Sequence, residues 1–307
     1  GIASLTTLVE TVERERPALV TFPGDLYHGG IQNSEAAGFP AFLRLIRRIL
    51  DICPIAAVSG TGSHDPPGAY KALTALKAKH PFIYLDPAEM SPPVAWICED
   101  GKVEVEIWSK ENPVSDGHTA KLLIMGLPEP SKEWLLADAQ VAPEDAGAAL
   151  REGLRRILLG FGALRAQYPD IPCVFLFHGA FSGATMQNGQ TVGPGEIQIG
   201  REDLQLIAPD ITARYGGNGY PKEWGELGQV GFDMVDLQPG DTFGSLGHIH
   251  LAQEVVHGRE IAVTRFNYPH PPRAKFTVDW PEPVGEAMVG VQAWICYRAT
   301  KEKVKVC

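Results

Sequence analysis

The sequence predicts an α/β protein, in which short buried strands alternate with amphipathic helices. The first observation is a set of apolar runs of strand length, each ending near glycine or proline: residues 18–22, 54–58, 121–125 and 173–177. The second is a set of longer segments with apolar residues at helical spacing: residues 4–14, 40–50, 69–79 and 146–168. A chain of 307 residues can bury a large core, so we expect one large domain, or one domain with a small appendage.

The first third of the chain follows this alternation closely. Residues 4–14 carry apolar side chains on one helical face, and Pro17 ends that helix before the strand at 18–22. A strand normally leads into the first helix of an α/β domain, so we expect a further strand ahead of this helix. The helix at 40–50 has an apolar stripe and a solvated arginine face, and it leads into the strand at 54–58.

The remaining segments are less regular and end in a separate C-terminal unit. Residues 103–108 alternate between apolar and polar side chains, which predicts a half-exposed strand. A further strand-like segment spans residues 229–237, and another spans 292–297 within a tail punctuated by proline. We therefore expect a main domain over residues 1–266 and a small α+β cap over residues 267–307.

The composition excludes several classes of protein. The formal net charge of −10 argues against a surface that is basic throughout, although metal ions can neutralise an acidic catalytic site. No apolar run approaches the ~20 residues of a membrane span, and no leader for export opens the sequence, so we expect a cytoplasmic protein without a membrane partner. The five cysteines are scattered without a CxxC pair, which fits a reducing compartment and excludes a zinc–cysteine site.

Side chains with metal-binding chemistry gather where the strands end. Five of the nine histidines fall in small-residue loops at or near strand ends, some of them beside an aspartate. The set comprises Asp25, His28, His64, Asp65, His178, His248 and His250. Ligands bind at the carboxyl ends of strands in open α/β sheets, and a mixture of carboxylate oxygen and imidazole nitrogen holds manganese, iron or zinc. The spacing of His248 and His250 also points both rings to one side of an extended segment. The sequence therefore predicts a metal site.

The order of the motifs points to a known family. The motifs are Gly24-Asp25-x-x-His28, Gly62-x-His64-Asp65, His178-Gly179 after a strand, and Gly247-His248-Ile249-His250. Over about residues 1–250 this set resembles the calcineurin-like metallophosphoesterase superfamily, and within it the DNA double-strand-break repair branch. That branch is the nuclease subunit that works with an SMC-like ATPase. The resemblance implies a four-layer α/β/β/α sandwich, with the small cap beside the site.

The resemblance also implies a set of metal ligands. Asp25 matches a carboxylate that bridges two divalent ions, for which manganese is the first expectation and iron, zinc or magnesium are alternatives. His178 and His248 match ligands of one ion, and His250 matches a ligand of the other. The branch has an asparagine ligand where Ser63 stands, and a hydroxyl is a poorer oxygen donor. The opening Asp-x-His motif of the family is absent from the sequence.

Three further residues receive catalytic roles from the same resemblance. His64 matches the histidine that contacts the scissile phosphate and protonates the leaving oxygen, which is general-acid catalysis. Asp65 would orient the ring of His64, and His28 matches a histidine that assists nuclease chemistry in this branch.

Three functional hypotheses are open at this point. The leading one is a manganese-dependent DNA exonuclease or endonuclease of repair or recombination, whose partners are DNA, an SMC-like ATPase subunit and a second copy of the chain. The first alternative is a phosphomonoesterase or cyclic-nucleotide phosphodiesterase on the same fold, which needs no groove for DNA. The second is a degenerate, non-catalytic phosphoesterase scaffold, for which Ser63 and the absent Asp-x-His motif are the grounds.

Overall fold

The architecture rests on two large mixed β-sheets and on the helices that cover them. The computed structural model describes residues 2–26, 39–60, 65, 67–88, 90, 93–99, 101–104, 120–131, 135, 146–186, 189–192, 197–216, 231–267, 295–299 and 304–306. The helices in this part of the chain are α1 Ile2–Glu15, α2 Phe39–Leu50, α3 Pro67–Thr74, α4 Ala146–Gln167 and α5 Arg201–Gln205. Over the same residues, no helix combines the length and apolar character needed to cross a bilayer.

The strands occur along the whole described chain. They are β1 Leu19–Pro23, β2 Ile55–Val58, β3 Phe82–Tyr84, β4 Val94–Cys98, β5 Val103–Glu104, β6 Ala120–Leu127, β7 Cys173–His178, β8 Ala180–Phe181, β9 Gln198–Ile199, β10 Thr212–Tyr215, β11 Gly231–Leu237, β12 Thr242–Gly247, β13 Gln253–Val256, β14 Ala262–Asn267, β15 Ile295–Ala299 and β16 Val304–Val306. Strands β8 and β9 form a small parallel pair of their own.

The first large sheet has the strand order β14-β11-β16-β15-β1-β2-β3. Strands β1, β2 and β3 are parallel, so the loops that follow β1 and β2 leave the sheet at the same edge. Strand β15 pairs antiparallel with the other side of β1, with Leu19 opposite Tyr297.

The second large sheet has the strand order β13-β10-β12-β7-β6-β4-β5. Its centre is parallel, because β10, β12, β7 and β6 all run the same way. The register pairs Gly247 at the end of β12 with His178 at the end of β7. Tyr215 at the end of β10 pairs with Leu246, so the Tyr215–Gly216 segment also lies at this edge.

The sheets pack through the alternation of side chains along their strands. In β7, Val174 and Leu176 belong to an apolar cluster that joins the two sheets. Phe175 and Phe177 point to the other face, where they share a cluster with α4 residues such as Phe161. A third cluster packs α1, α2 and α3 against the first sheet. The side chains of β7 thus alternate between two apolar clusters.

The mixed α/β class predicted from the sequence is confirmed, with differences in individual elements. The helix predicted for 69–79 ends at Thr74. Of the strand predicted for 103–108, the structure describes Val103–Glu104, and the remainder lies outside the described residues. Strands β3, β4, β10, β13 and β14 are not predicted by the sequence pattern. β10, with the sequence Thr-Ala-Arg-Tyr, has no continuous apolar run, and it is buried because β12 and β13 flank it.

The C-terminal strands differ from the cap that the sequence predicts for residues 267–307. Strand β15 pairs with β1 and β11, and β16 pairs with β11 and β15, so both belong to the first sheet. The rest of that range, residues 268–294, 300–303 and 307, lies outside the described residues. The division of the chain at residue 266 therefore stays a prediction.

Candidate metal centre

Three of the predicted site residues lie where parallel strands of the two sheets end. His178 is the last residue of β7, Asp25 follows β1, and His248 follows β12. Strand β1 of the first sheet contacts both β7 and β12 of the second. Residues from distant parts of the sequence meet here because both sheets present their carboxyl edges to one place.

His178 is held in a single orientation and tautomer. Its side chain is fully buried, and its Nδ1 lies 2.7 Å from the carbonyl oxygen of Pro23. A carbonyl oxygen only accepts hydrogen bonds, so Nδ1 carries the proton and Nε2 presents a lone pair. That Nε2 is buried, has no hydrogen-bond partner among the described residues, and lies 3.5 Å from Oδ1 of Asp25.

The electrostatics of the site keep His178 neutral. The pKa of His178 is lowered from 6.5 to about 4 in total, mainly because the effect of burial outweighs the opposing effect of the Asp25 carboxylate. His248 and His250 lower this pKa further, and the hydrogen bond to Pro23 raises it slightly. A neutral imidazole is the form that ligates a metal, so His178 needs no deprotonation near neutral pH.

The structure therefore places Asp25 and His248 next to His178, as expected for three of the residues that the sequence assigns to metal binding, and His250 follows His248 by two residues. The ring centroids of His178 and His248 are 5.4 Å apart, with 76° between the ring planes. His250 lies close enough to influence the charge of His178. Their roles as ligands stay predictions.

Two of these residues have an unusual backbone conformation. Asp25 has φ of 51° and His248 has φ of 98°, values that side-chain-bearing residues adopt at a cost. Strand β12 ends at Gly247, so the chain is not extended at His248, and the sequence argument from i, i+2 spacing on an extended segment does not hold. The directions of the Asp25 and His248 side chains are therefore set by the loops that follow β1 and β12.

Glycines make room for the close approach of the loops to His178. A Cβ at Gly24 would lie 2.6 Å from Cγ of His178, and Gly24 has φ of 93°. A Cβ at Gly60 would lie 2.6 Å from the backbone nitrogen of Asp25. A Cβ at Gly247 would lie 3.0 Å from Nδ1 of His178. At these three positions a side chain would displace neighbouring atoms, so glycine is required for this packing.

Asp65 is buried and faces the loop that carries Asp25. One of its oxygens, Oδ2, accepts hydrogen bonds from the Gly60 amide and from the Tyr70 hydroxyl, each at 2.7 Å. The Tyr70 hydroxyl in turn accepts a hydrogen bond from the Leu26 amide at 3.4 Å. The predicted contact between Asp65 and His64 stays a prediction, since His64 lies outside the described residues.

Some predicted residues lie outside the described part of the chain, and two groups that contact the site residues are not predicted. His28 and Ser63, like His64, lie outside the described residues, so their assigned roles stay predictions. The Pro23 carbonyl and Tyr70 are not among the residues predicted from the sequence. A carbonyl group leaves no mark in a sequence, whereas Tyr70 could have been suspected because it follows Asp65 by five residues, near the start of α3.

One pair of donor atoms has a spacing that suits a metal ion, but the described residues do not provide a complete set of ligands. Two ligands about 2.1 Å from a tetrahedral ion lie about 3.4 Å apart, and Asp25 Oδ1 and His178 Nε2 are 3.5 Å apart. Across the described ranges, no group of three or more histidine, cysteine, aspartate or glutamate side chains lies close enough together to hold a metal ion. The described chain thus provides one preformed pair of donors, with two more histidines nearby.

No family model matches the chain, and no curated protein matches it.

Proposed function

We propose that the chain is a metal-dependent phosphoesterase that hydrolyses phosphodiester bonds of DNA in repair or recombination. The observation that carries this proposal is the buried, neutral His178, whose Nε2 faces the Asp25 carboxylate at 3.5 Å. A buried nitrogen lone pair without a hydrogen-bond partner is costly unless a cation or donor satisfies it. The order of the motifs and the position at the carboxyl edge of both sheets support the same function.

The proposed roles of the residues follow from their chemistry. Asp25, His178, His248 and His250 hold divalent cations, with manganese as the first choice. When bound, such cations supply charge stabilisation for the phosphoester and lower the pKa of a water molecule. His64 is placed, by the motif alone, as the donor of a proton to the leaving oxygen.

The proposal includes the finer architecture that the resemblance implies, a four-layer α/β/β/α sandwich. Three apolar clusters support this arrangement: one between the sheets, one under α1, α2 and α3, and one under α4 and α5. The proposed partners are DNA, an SMC-like ATPase subunit and a second copy of the chain, and the proposed compartment is the cytoplasm. The support for these partners is the motif set.

The direct test is manganese binding together with hydrolysis. The chain is stripped of metal with a chelator and titrated with Mn²⁺ by calorimetry. It is then assayed on single- and double-stranded DNA, on a cyclic nucleotide and on p-nitrophenyl phosphate esters. We expect Mn²⁺ binding and Mn²⁺-dependent DNA cleavage that EDTA abolishes. His178→Asn should lose both, whereas His257→Asn, the same change at an exposed histidine paired with Glu254, should keep both.

The possible failures of this test have different meanings. Hydrolysis of small esters or cyclic nucleotides without cleavage of DNA would replace the nuclease by a small-molecule phosphoesterase. Absence of Mn²⁺ binding by the wild-type protein would leave the non-catalytic scaffold as the better account.

A further inference from the structure

Buried hydrogen bonds connect the backbone next to Asp25 with Tyr70 and Asp65. The Tyr70 hydroxyl donates to Asp65 and accepts from the Leu26 amide, and Asp65 also accepts from the Gly60 amide. Tyr70 has no exposed surface and Asp65 is 1% exposed. These hydrogen bonds therefore join the loop after β1 to the loop after β2 and to the first turn of α3.

These hydrogen bonds fix two backbone amides, those of Leu26 and Gly60, and both residues are neighbours of Asp25. Leu26 follows Asp25 in sequence, and Gly60 lies against it, since a Cβ at Gly60 would be 2.6 Å from the Asp25 nitrogen. Asp25 itself has φ of 51°, a conformation that costs of order 1 kcal/mol and persists only where the surroundings hold it. The groups that hold Asp25 in place therefore matter for where its carboxylate points.

The position and polarity of the Tyr70 hydroxyl are both defined. Its single hydrogen goes to Asp65 at 2.7 Å, so only its lone pairs remain for the Leu26 amide. The ring is fixed by stacking on Tyr84, with centroids 4.9 Å apart, and by a tilted contact with Phe82 at 6.3 Å. A rigid ring thus places one hydroxyl between an acceptor from one loop and a donor from the other.

We infer that Tyr70 is a positioning residue for Asp25: its hydroxyl links the Leu26 amide to Asp65 and thereby holds the Asp25 carboxylate toward His178 for a divalent metal ion. This inference rests on the proposed function, because Asp25 is a metal ligand only under that proposal. Partners that orient metal ligands in this way typically contribute 10–100-fold to metal affinity.

The test compares two tyrosine-to-phenylalanine variants. Tyr70→Phe removes the hydroxyl and keeps the ring, so the apolar cluster around α3 stays filled. Tyr168→Phe is the matched control, because Tyr168 packs edge-on against Trp96 of β4, far from His178. Trp96 pairs with Leu123 of β6, and Leu123 pairs with Cys173, the residue at the opposite end of β7 from His178. We expect Mn²⁺ to bind Tyr70→Phe roughly 10–100-fold more weakly than wild type, and Tyr168→Phe as tightly as wild type. In the metal-free proteins, hydrogen exchange of the Leu26 amide should be faster in Tyr70→Phe than in wild type, and it should be unchanged in Tyr168→Phe.

Each outcome bears on the inference. Wild-type Mn²⁺ affinity and wild-type Leu26 exchange in Tyr70→Phe would overturn it while leaving the proposed metal site in place. Absence of Mn²⁺ binding by the wild-type protein would overturn the proposed function, and this inference with it. If Tyr70→Phe does not fold, Asp65→Asn decides. A neutral acceptor holds the tyrosine hydroxyl less strongly, so several-fold weaker Mn²⁺ binding would support the inference and an unchanged affinity would overturn it.

Discussion

The substitution Gly60→Ala tests whether the packing around Asp25 determines its function. The added Cβ would lie 2.6 Å from the Asp25 nitrogen and 2.9 Å from Cε1 of His178, whereas ordinary contact begins at 3.4 Å. The first obstacle is backbone, which cannot rotate away, so the Asp25 loop must retreat by up to about 1 Å. Overpacking of this kind costs roughly 1–3 kcal/mol of unfolding free energy. The shift also separates Asp25 from His178, for which we expect about 10–100-fold weaker Mn²⁺ binding.

Urea unfolding and Mn²⁺ calorimetry measure the two effects separately. Gly68→Ala is the matched control, because Gly68 is an exposed residue of α3 with open space where a Cβ would lie. Gly68→Ala should keep wild-type Mn²⁺ affinity, and its free energy of unfolding should rise by up to about 1 kcal/mol, because alanine favours a helix more than glycine does. A Gly60→Ala protein with wild-type stability and wild-type Mn²⁺ affinity would refute the reasoning, since it would mean that the loop accommodates a methyl group freely.

Three further expectations concern catalysis, pH and the core. His64→Ala should keep Mn²⁺ binding but lose roughly 10²–10⁴-fold in hydrolysis, with partial rescue by esters whose leaving group needs no proton; loss of metal equal to that of Asp25→Ala would count against the general-acid role. In the metal-free protein, His178 becomes protonated below about pH 6.5 when the chain is unfolded, but only near pH 4 when it is folded. Protons therefore bind preferentially to the unfolded state, and the free energy of unfolding should fall by about 3 kcal/mol as the pH drops from 6.5 to 4. Urea titrations at several pH values, compared with His178→Asn, check this, and an identical pH dependence in the two proteins would contradict it. Asp233→Ala should lower the free energy of unfolding by about 3 kcal/mol, because it removes the fully buried carboxylate that pairs with Arg265 at 2.8 Å and with Arg214 at 3.6 Å. Glu254→Ala, in a partly exposed pair, should lower it by at most about 1 kcal/mol in the same urea assay.

The sequence predicts β1, β2 and β7, which lead into three of the loops near the site, because these strands are rich in apolar residues. Strands β1, β2 and β7 are buried on both faces, so each appears as a continuous apolar run. Strand β15 gives a weaker pattern, and its place in the fold depends on pairing Tyr297 with Leu19, far away in sequence. Periodicity reports local structure and carries no information about such a partner, which is why the sequence analysis assigns this segment to a separate cap.

The same distinction applies to the candidate site. Asp25 and His178 can be predicted as site residues because both lie at the ends of apolar runs, but the sequence does not show that β1 and β7 belong to different sheets. The contacts that orient them depend on the path of loops: the Pro23 carbonyl on Nδ1 of His178, and the Tyr70 hydroxyl between Leu26 and Asp65. Loop paths follow from the assembled tertiary structure, so the sequence indicates which groups have the right chemistry without showing what holds them.

The pairing of β1 with β15 has a consequence for the order of events during synthesis of the chain. Strand β1 precedes Asp25 directly, yet one of its two neighbours in the sheet consists of residues 295–299. A nascent chain therefore carries β1 with one open edge until the ribosome has made nearly all of the other strands. An open edge pairs readily with strands of other molecules, so premature termination before residue 295 should yield aggregates. Under the proposed function, completion of this sheet would determine when a newly made molecule becomes able to bind metal.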